Sequence, residues 1–197
     1  MKVFAHFSLP GFSNTYLVGP EEGGDAILVD PGCFDEYLLN LVEDHGYYVR
    51  HVLVTHGHRN HFQGIKTILR IYDATVYANT PHLDGVLCEM VHEGRRLDLG
   101  WVEVRVLSLP GHSRDSVAYV VGPYVFTGDA LTSGKVGSPV NPQGKALLIA
   151  YLNQKLLALP GHYIIFPGHG PPTTVRTEAA FNVDLRLTPG RGPGVSV

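Results

Sequence analysis

Three of the chain's 11 histidines fall within seven consecutive residues, Thr55-His56-Gly57-His58-Arg59-Asn60-His61. Two more stand in matching contexts, Pro110-Gly111-His112 and Pro167-Gly168-His169, and Asp129 ends Thr127-Gly128-Asp129. Imidazole and carboxylate donors together suit Zn²⁺, Fe or Mn²⁺. His56 and His58, two residues apart in a tight turn, can reach one ion, with Gly57 letting the backbone come near. A bound dication lowers the pKa of water from about 15.7 to about 7, making hydroxide available at neutral pH, and it polarises an attacked carbonyl. Such a cluster is therefore equipped for metal-assisted hydrolysis. Taken singly, each histidine is as well explained by an ordinary hydrogen bond or by exposure, so the reading rests on their joint placement.

That placement follows from the elements. Apolar, β-rich runs occur at residues 3–7, 15–18, 26–29, 51–55, 74–78, 102–107, 117–121, 124–127 and 163–166, most of them bounded by Gly, Pro, Asn or Asp. His56 and His58, His112, Asp129 and His169 each come just after one of these runs. Four polar clusters thus sit beyond the C-terminal ends of four strands, where loops on a rigid frame carry function. His162 repeats the Pro-Gly-His pattern but precedes its strand, which assigns it to the opposite edge and excludes it as a ligand. His6, His45, His51, His82 and His92 have no comparable placement. Gly122-Pro123 between two apolar runs predicts a hairpin.

Helical periodicity predicts helices over 36–44 (Tyr37, Leu38 and Leu41 on one face), 61–72 (Ile65, Ile68, Leu69, Tyr72) and 142–157 (Leu147, Leu148, Tyr151, Leu152, Leu156). A further helix is predicted over 80–92, with Thr80 as N-cap and Pro81 at its first position. Strands and helices in both halves point to an α/β fold of two packed sheets with helices outside. Residues 1–187 read as one domain and 188–197 as a Pro/Gly-rich tail.

Composition removes other classes. The 197 residues carry 15 basic and 18 acidic side chains, a net charge of -3, with no basic stripe for nucleic acid. The uncharged stretch 3–20 is broken by Pro10, Gly11, Ser13 and Asn14, so it is no spanning helix, and its first apolar run is shorter than the ~7–15 residues of a signal core. The expected location is cytoplasmic and the expected partner a small-molecule substrate, with no membrane; oligomeric state is not encoded in any visible pattern. Cys33 and Cys88 read as two reduced, partly buried thiols.

The motifs resemble the metallo-β-lactamase-fold hydrolases, closest to the small glyoxalase II-like branch. The resemblance runs from Thr15 to about Thr174 and rests on Asp30-Pro31-Gly32, the 55–61 histidine run, Pro110-Gly111-His112-Ser113, Thr127-Gly128-Asp129 and Phe166-Pro167-Gly168-His169-Gly170. It implies an αββα sandwich of two mixed sheets with the metal site at one edge. It further implies that His56, His58 and His112 bind a first metal and His61 and His169 a second. Asp129 bridges the two, a hydroxide between them is the nucleophile on a small thioester or ester, and Asp30 orients a ligand loop from behind. Asp30 reads equally well as the initiator of the Pro-Gly turn, and the two roles are compatible.

Two departures matter. The family's His-x-His-x-Asp-His motif has Asn60 in place of the aspartate, normally a catalytic-site ligand of the second metal. Loss of one charge a few Å from an ion weakens that site by ~100-fold, so one tight Zn²⁺ is expected with a second weak or absent, Fe or Mn remaining possible. Asn60 could equally cap the following helix. After Asp129, the family's Gly-Arg-Ser/Thr-Asp segment is replaced by Gly134-Lys135-Val136-Gly137-Ser138-Pro139, where Lys135 reads first as a solvated loop lysine and second as a candidate for an anionic substrate tail. Full glyoxalase II holds glutathione with a C-terminal helical domain, and no counterpart is expected after His169, so the resemblance does not carry glutathione thioester specificity with it. Two alternatives stand beside hydrolysis: a metal-binding but catalytically impaired relative, and a mononuclear iron persulfide dioxygenase-like enzyme using His56, His112 and Asp129.

Overall fold

The computed structural model describes residues 1–139 and 141–186; the tail expected at 188–197 lies outside them. Two six-stranded mixed sheets face each other. In the first, the strands run side by side in the order Lys2–Ser8, Ser13–Gly19, Gly24–Val29, Tyr47–Leu53, Thr75–Ala78, Glu89–Met90. In the second the order is Thr173–Thr174, Ile164–Pro167, Tyr124–Gly128, Val117–Val121, Glu103–Ser108, Arg96–Asp98.

Three apolar layers explain why the strands read as near-continuous apolar runs. Tyr16, Val18, Ile27, Val29 and Leu53 meet Val104, Val106, Val117, Tyr119 and Phe126 between the sheets. The alternate residues Leu17, Leu28, Val49 and Val52 face Leu38, Val42, Ile65 and Ile68 of the helices Glu36–Asp44 and Ile65–Ile71. On the far side Leu107, Ala118, Val120, Val125 and Ile165 pack on Leu148, Leu152 and Leu156. Strands buried on both faces lose period-2 alternation, and the sum is the αββα sandwich.

Local signals explain most boundaries. Asp35 accepts from Leu38 N at 2.9 Å and starts the first helix. Asn141 accepts from Gly144 N at 2.7 Å with Pro142 at the first helical position, starting Pro142–Tyr151, which continues as a π turn over Leu152–Leu156. The hairpin at Gly122-Pro123 forms, with Val121 paired to Tyr124 and Gly122 at φ 57.

Three readings are corrected. No helix spans 80–92: the segment makes a hairpin, His82–Leu83 with Val86–Leu87, and then the strand Glu89–Met90. Asp84 and Gly85 both sit at positive φ (48 and 83), the Asp-Gly turn that joins hairpin strands, and β-forming Val86, Leu87 and Cys88 follow it. The strand expected at 51–55 runs Tyr47–Leu53, so Val54 and Thr55 already belong to the loop. Tyr37 and Leu147 are exposed; the buried helix faces are Leu38/Val42 and Leu148/Leu152/Leu156.

Candidate metal centre

The sheets bring the sequence-predicted residues to one edge. His56 and His58 follow Tyr47–Leu53, His112 follows Glu103–Ser108, Asp129 follows Tyr124–Gly128 and His169 follows Ile164–Pro167. His61 closes a single 3₁₀ turn, Arg59–His61. His162 precedes Ile164–Pro167, at the other end of the strand that delivers His169.

Two groups form around one carboxylate. His58 Nδ1 stands 2.9 Å from His56 Nε2 and 3.0 Å from His112 Nε2. Asp129 Oδ2 lies 3.8 Å from His56 Nε2 and 3.7 Å from His112 Nε2. For metal–ligand bonds of ~2.05 Å a tetrahedron has edges of ~3.3 Å, and the four separations straddle that value. The second group is His61 Nε2, 3.3 Å from Asp129 Oδ2, and His169 Nδ1, 2.6 Å from Asp129 Oδ1.

Groups behind the rings fix where their protons are. The Ser138 carbonyl can only accept, so His112 Nδ1, 2.7 Å away, carries the proton and leaves Nε2 as a lone pair. Thr55 Oγ1 donates its single proton to Asp30 Oδ2 at 2.7 Å and therefore accepts from His56 Nδ1 at 3.1 Å, leaving His56 Nε2 bare. His61 Nδ1 donates to the same Asp30 oxygen at 3.1 Å. Burial, assisted by the neighbouring His61, pushes His56 down to about 3, and burial lowers His112 too, so both rings are neutral at pH 7. Burial also opposes charge on His61, but Asp30 and Asp129 together outweigh it and push its pKa up to about 10. Burial opposes the Asp129 carboxylate as well, yet His169 and His61 hold it well below the usual carboxylate range. The hydrogen bond to Asp129 is the main cause that raises His169. The edge is built to hold positive charge against Asp129. The chemistry of the donors fits a divalent cation: two bare imidazole nitrogens and a third from His58 converge on one carboxylate oxygen.

Asp30 is 2% exposed behind His61 and Thr55, and its carbonyl also receives Gly32 N at 2.8 Å in the Pro-Gly turn. Asn60 is in the centre: its Nδ2 lies 3.3 Å from His169 Nε2. It does not cap the following helix, which starts at Ile65 after Gly64 without a side-chain cap, because Asn60 lies inside the earlier 3₁₀ turn Arg59–His61. Lys135 does not join the cluster. It is exposed on the small hairpin Leu131–Thr132/Lys135–Val136, where its charge acts on Asp184.

Sequence reasoning missed four supports. Asp115 accepts from Gly57 N at 2.7 Å and from Ser113 Oγ at 2.6 Å, tying the His56–His58 turn to the His112 loop. The Thr55 hydroxyl and the Ser138 carbonyl set tautomers as described. Gly168 packs so tightly that a Cβ there would lie 2.5 Å from both Asp129 Oδ1 and His61 Cε1. Only Asp115, four residues beyond Gly111 in a polar turn, carried a usable sequence signal.

Comparison with known proteins agrees with this geometry. Residues 9–86 match the family described as Metallo-beta-lactamase superfamily. A hydroxyacylglutathione hydrolase of Hahella chejuensis is 32% identical over 166 residues, covering 82% of this chain. The chain spans 63% of that relative's length. Among solved structures, ETHE1 from Myxococcus xanthus superposes with a TM-score of 0.83 at 28% identity, covering 93% of this chain and 84% of that one. TTHA1623 in a di-iron-bound form gives a TM-score of 0.77 at 32% identity, covering 91% and 98%.

Proposed function

The chain belongs to the metallo-beta-lactamase superfamily, and we propose that it is a metal-dependent hydrolase opening a small thioester or ester. The observation that carries this reading is the convergence of two unprotonated imidazole nitrogens, those of His56 and His112, with His58 on Asp129 Oδ2. His56, His58, His112 and Asp129 would hold the first cation; His61, His169 and the shared Asp129 would hold a second. A divalent cation there supplies a nucleophile from water at neutral pH and polarises the scissile carbonyl.

The chain's own residues do the rest. Asp129 couples the two groups, its Oδ2 facing His56, His112 and His61 and its Oδ1 facing His169. Thr55, Asp30 and Ser138 keep ring protons on the far side of the ligand nitrogens. Exposed His58 and the partly exposed His169 mark the open side. The neighbouring loop, whose Gly11 packs on Asn60, carries exposed Leu9 and Phe12 as an apolar rim for an acyl group. We assign zinc to the tight site, with iron or manganese as the alternatives. The substrate is a small molecule, and the site of action the cytoplasm; no described helix is long and apolar enough to cross a membrane.

The test is elemental analysis of protein purified without added metal, joined to turnover of a chromogenic thioester before and after complete chelation. Chelation is expected to abolish turnover. His112→Ala is expected to lose tightly held metal while His162→Ala keeps it. Turnover that survives metal removal, or equal metal loss in both variants, would refute the assignment. A second reading, a mononuclear iron oxygenase using His56, His112 and Asp129, is favoured by the exposure of His58, which leaves a two-histidine, one-carboxylate triad with open positions. Bound iron with oxygen uptake on glutathione persulfide would select it.

A further inference from the structure

A different set of donors gathers on the edge strand Lys2–Ser8. Side chains alternate along a strand, so His6 and Ser8 share a face, and both are buried. The loop entering the helix Glu36–Asp44 brings Cys33 and Asp35 against that face. Three atoms approach one another: His6 Nε2 to Asp35 Oδ2 at 3.1 Å, His6 Nε2 to Cys33 Sγ at 3.5 Å, and Cys33 Sγ to Asp35 Oδ2 at 3.6 Å.

These separations have the shape of a coordination face. With bonds of ~2.05 Å to nitrogen, ~2.3 Å to sulfur and ~2.0 Å to oxygen, a tetrahedral zinc site has N–O, N–S and S–O edges of ~3.3, ~3.5 and ~3.5 Å. A nucleophilic Cys-His-Asp relay fits worse. There the carboxylate holds the ring nitrogen that does not face the nucleophile, whereas Asp35 and Cys33 meet the same nitrogen of His6. Burial also pushes the Cys33 thiol up, away from a free thiolate.

Two neighbours complete the setting. The Ser8 hydroxyl is fully buried with no other hydrogen-bond partner among the described residues, and it lies beside the Cys33 sulfur, where it favours the thiolate. Asp35 uses Oδ1 to accept from Leu38 N at 2.9 Å, so Oδ2 remains for the cluster. The Asp35 side chain is 47% exposed, which opens the remaining vertex to water.

We propose that His6, Cys33 and Asp35 form a separate cation site of the Zn²⁺ class, with three protein ligands and one position open to solvent. It pins the N-terminal edge strand to the start of the first helix. It differs from the histidine centre in one checkable respect, the thiolate.

Cobalt(II) titration of metal-stripped protein reads that difference. A sulfur-to-cobalt charge-transfer band in the near ultraviolet is expected, which the sulfur-free histidine centre cannot produce. Cys33→Ser is expected to abolish the band and remove one cobalt equivalent. Cys88→Ser is expected to change neither, since Cys88 is buried against the Val86 carbonyl. Asp35→Asn keeps an oxygen to cap the helix and puts a non-ligating NH₂ in place of Oδ2, so the fold is preserved while affinity at this site falls ~10-fold or more. In the unaltered protein, zinc is expected to shield Cys33 from alkylation, read by peptide mass. A saturated protein without the band, a band that persists in Cys33→Ser, or alkylation of Cys33 indifferent to zinc would each overturn the site and leave a His6–Asp35 contact beside a thiol.

Discussion

Asp30→Asn perturbs the centre without touching a proposed ligand. Asp30 lies at φ 50, a left-handed conformation that asparagine tolerates at least as well as aspartate, so the change tests the carboxylate and not the backbone. Its oxygens accept three hydrogen bonds in a fully packed pocket: Thr55 N at 2.7 Å, Thr55 Oγ1 at 2.7 Å and His61 Nδ1 at 3.1 Å. An amide has one acceptor. With its NH₂ in place of Oδ2 it meets the His61 Nδ1 proton; in place of Oδ1 it meets the Thr55 N–H. Either way one buried donor loses its acceptor, at a cost of ~1–3 kcal/mol, and the surviving bonds lose their charge assistance. The expected destabilisation of the metal-free protein in urea is ~2–4 kcal/mol. His61 can relieve the clash by giving up its Nδ1 proton and keeping the one on Nε2, the nitrogen that would have to be bare to hold a metal. Affinity at the His61/His169/Asp129 group should then fall ~10–100-fold, with a smaller loss at His56/His58/His112 transmitted through Thr55. Competitive titration with a chromophoric chelator separates the two. Stability within ~0.5 kcal/mol of the unaltered protein, together with unchanged affinities, would refute the proton placement.

Asn60→Asp should tighten the second metal by ~100-fold, because a carboxylate replaces the amide facing His169; two equally tight metals still held by the Cys33→Ser protein would show that the amide suffices. Gly168→Ala should lose metal at both groups while the sandwich stays folded by circular dichroism, since its Cβ would lie 2.5 Å from Asp129 Oδ1; intact metal content would contradict that packing. Burial works against the Asp184 carboxylate, but Lys145 at 2.6 Å and the Val136 N–H at 3.1 Å outweigh it and lower its pKa. The stability it contributes is therefore full above the unfolded carboxylate pKa and is lost as pH falls through the lower folded one. Asp184→Asn should cost ~1 kcal/mol at pH 7 and flatten the acid limb of the stability profile, and an unchanged acid limb would count against the pair.

The sandwich was legible because strands covered on both faces leave continuous apolar runs. The helices Glu36–Asp44 and Pro142–Tyr151 were legible from their apolar periodicity, and the structure adds the caps that start them, Asp35 and Asn141. The segment 80–92 misled for a local reason. Thr80-Pro81 is a good helix start, but Asp84-Gly85 is a better hairpin turn, and the β-formers after it decided between them. The helix faces were misjudged at Tyr37 and Leu147 because an apolar residue one position off the buried stripe looks the same in sequence.

For the centre, the ligand candidates could be named because each stands just past a strand and the strands share an edge. Their protonation could not. His56 and His112 present bare nitrogens because Thr55 spends its one proton on Asp30 and because the Ser138 carbonyl comes to lie 2.7 Å from His112 Nδ1. Ser138 is 26 residues from His112 and contributes a backbone atom, so no side-chain pattern marks it. The same limit hid His6. It stands on a strand with no motif around it, and only the register of Lys2–Ser8 against Ser13–Gly19 and the path of the loop behind them bring Cys33 and Asp35 to its Nε2. Strand-end histidines advertise a site in sequence, whereas a histidine in mid-strand becomes one through the neighbours that tertiary packing supplies.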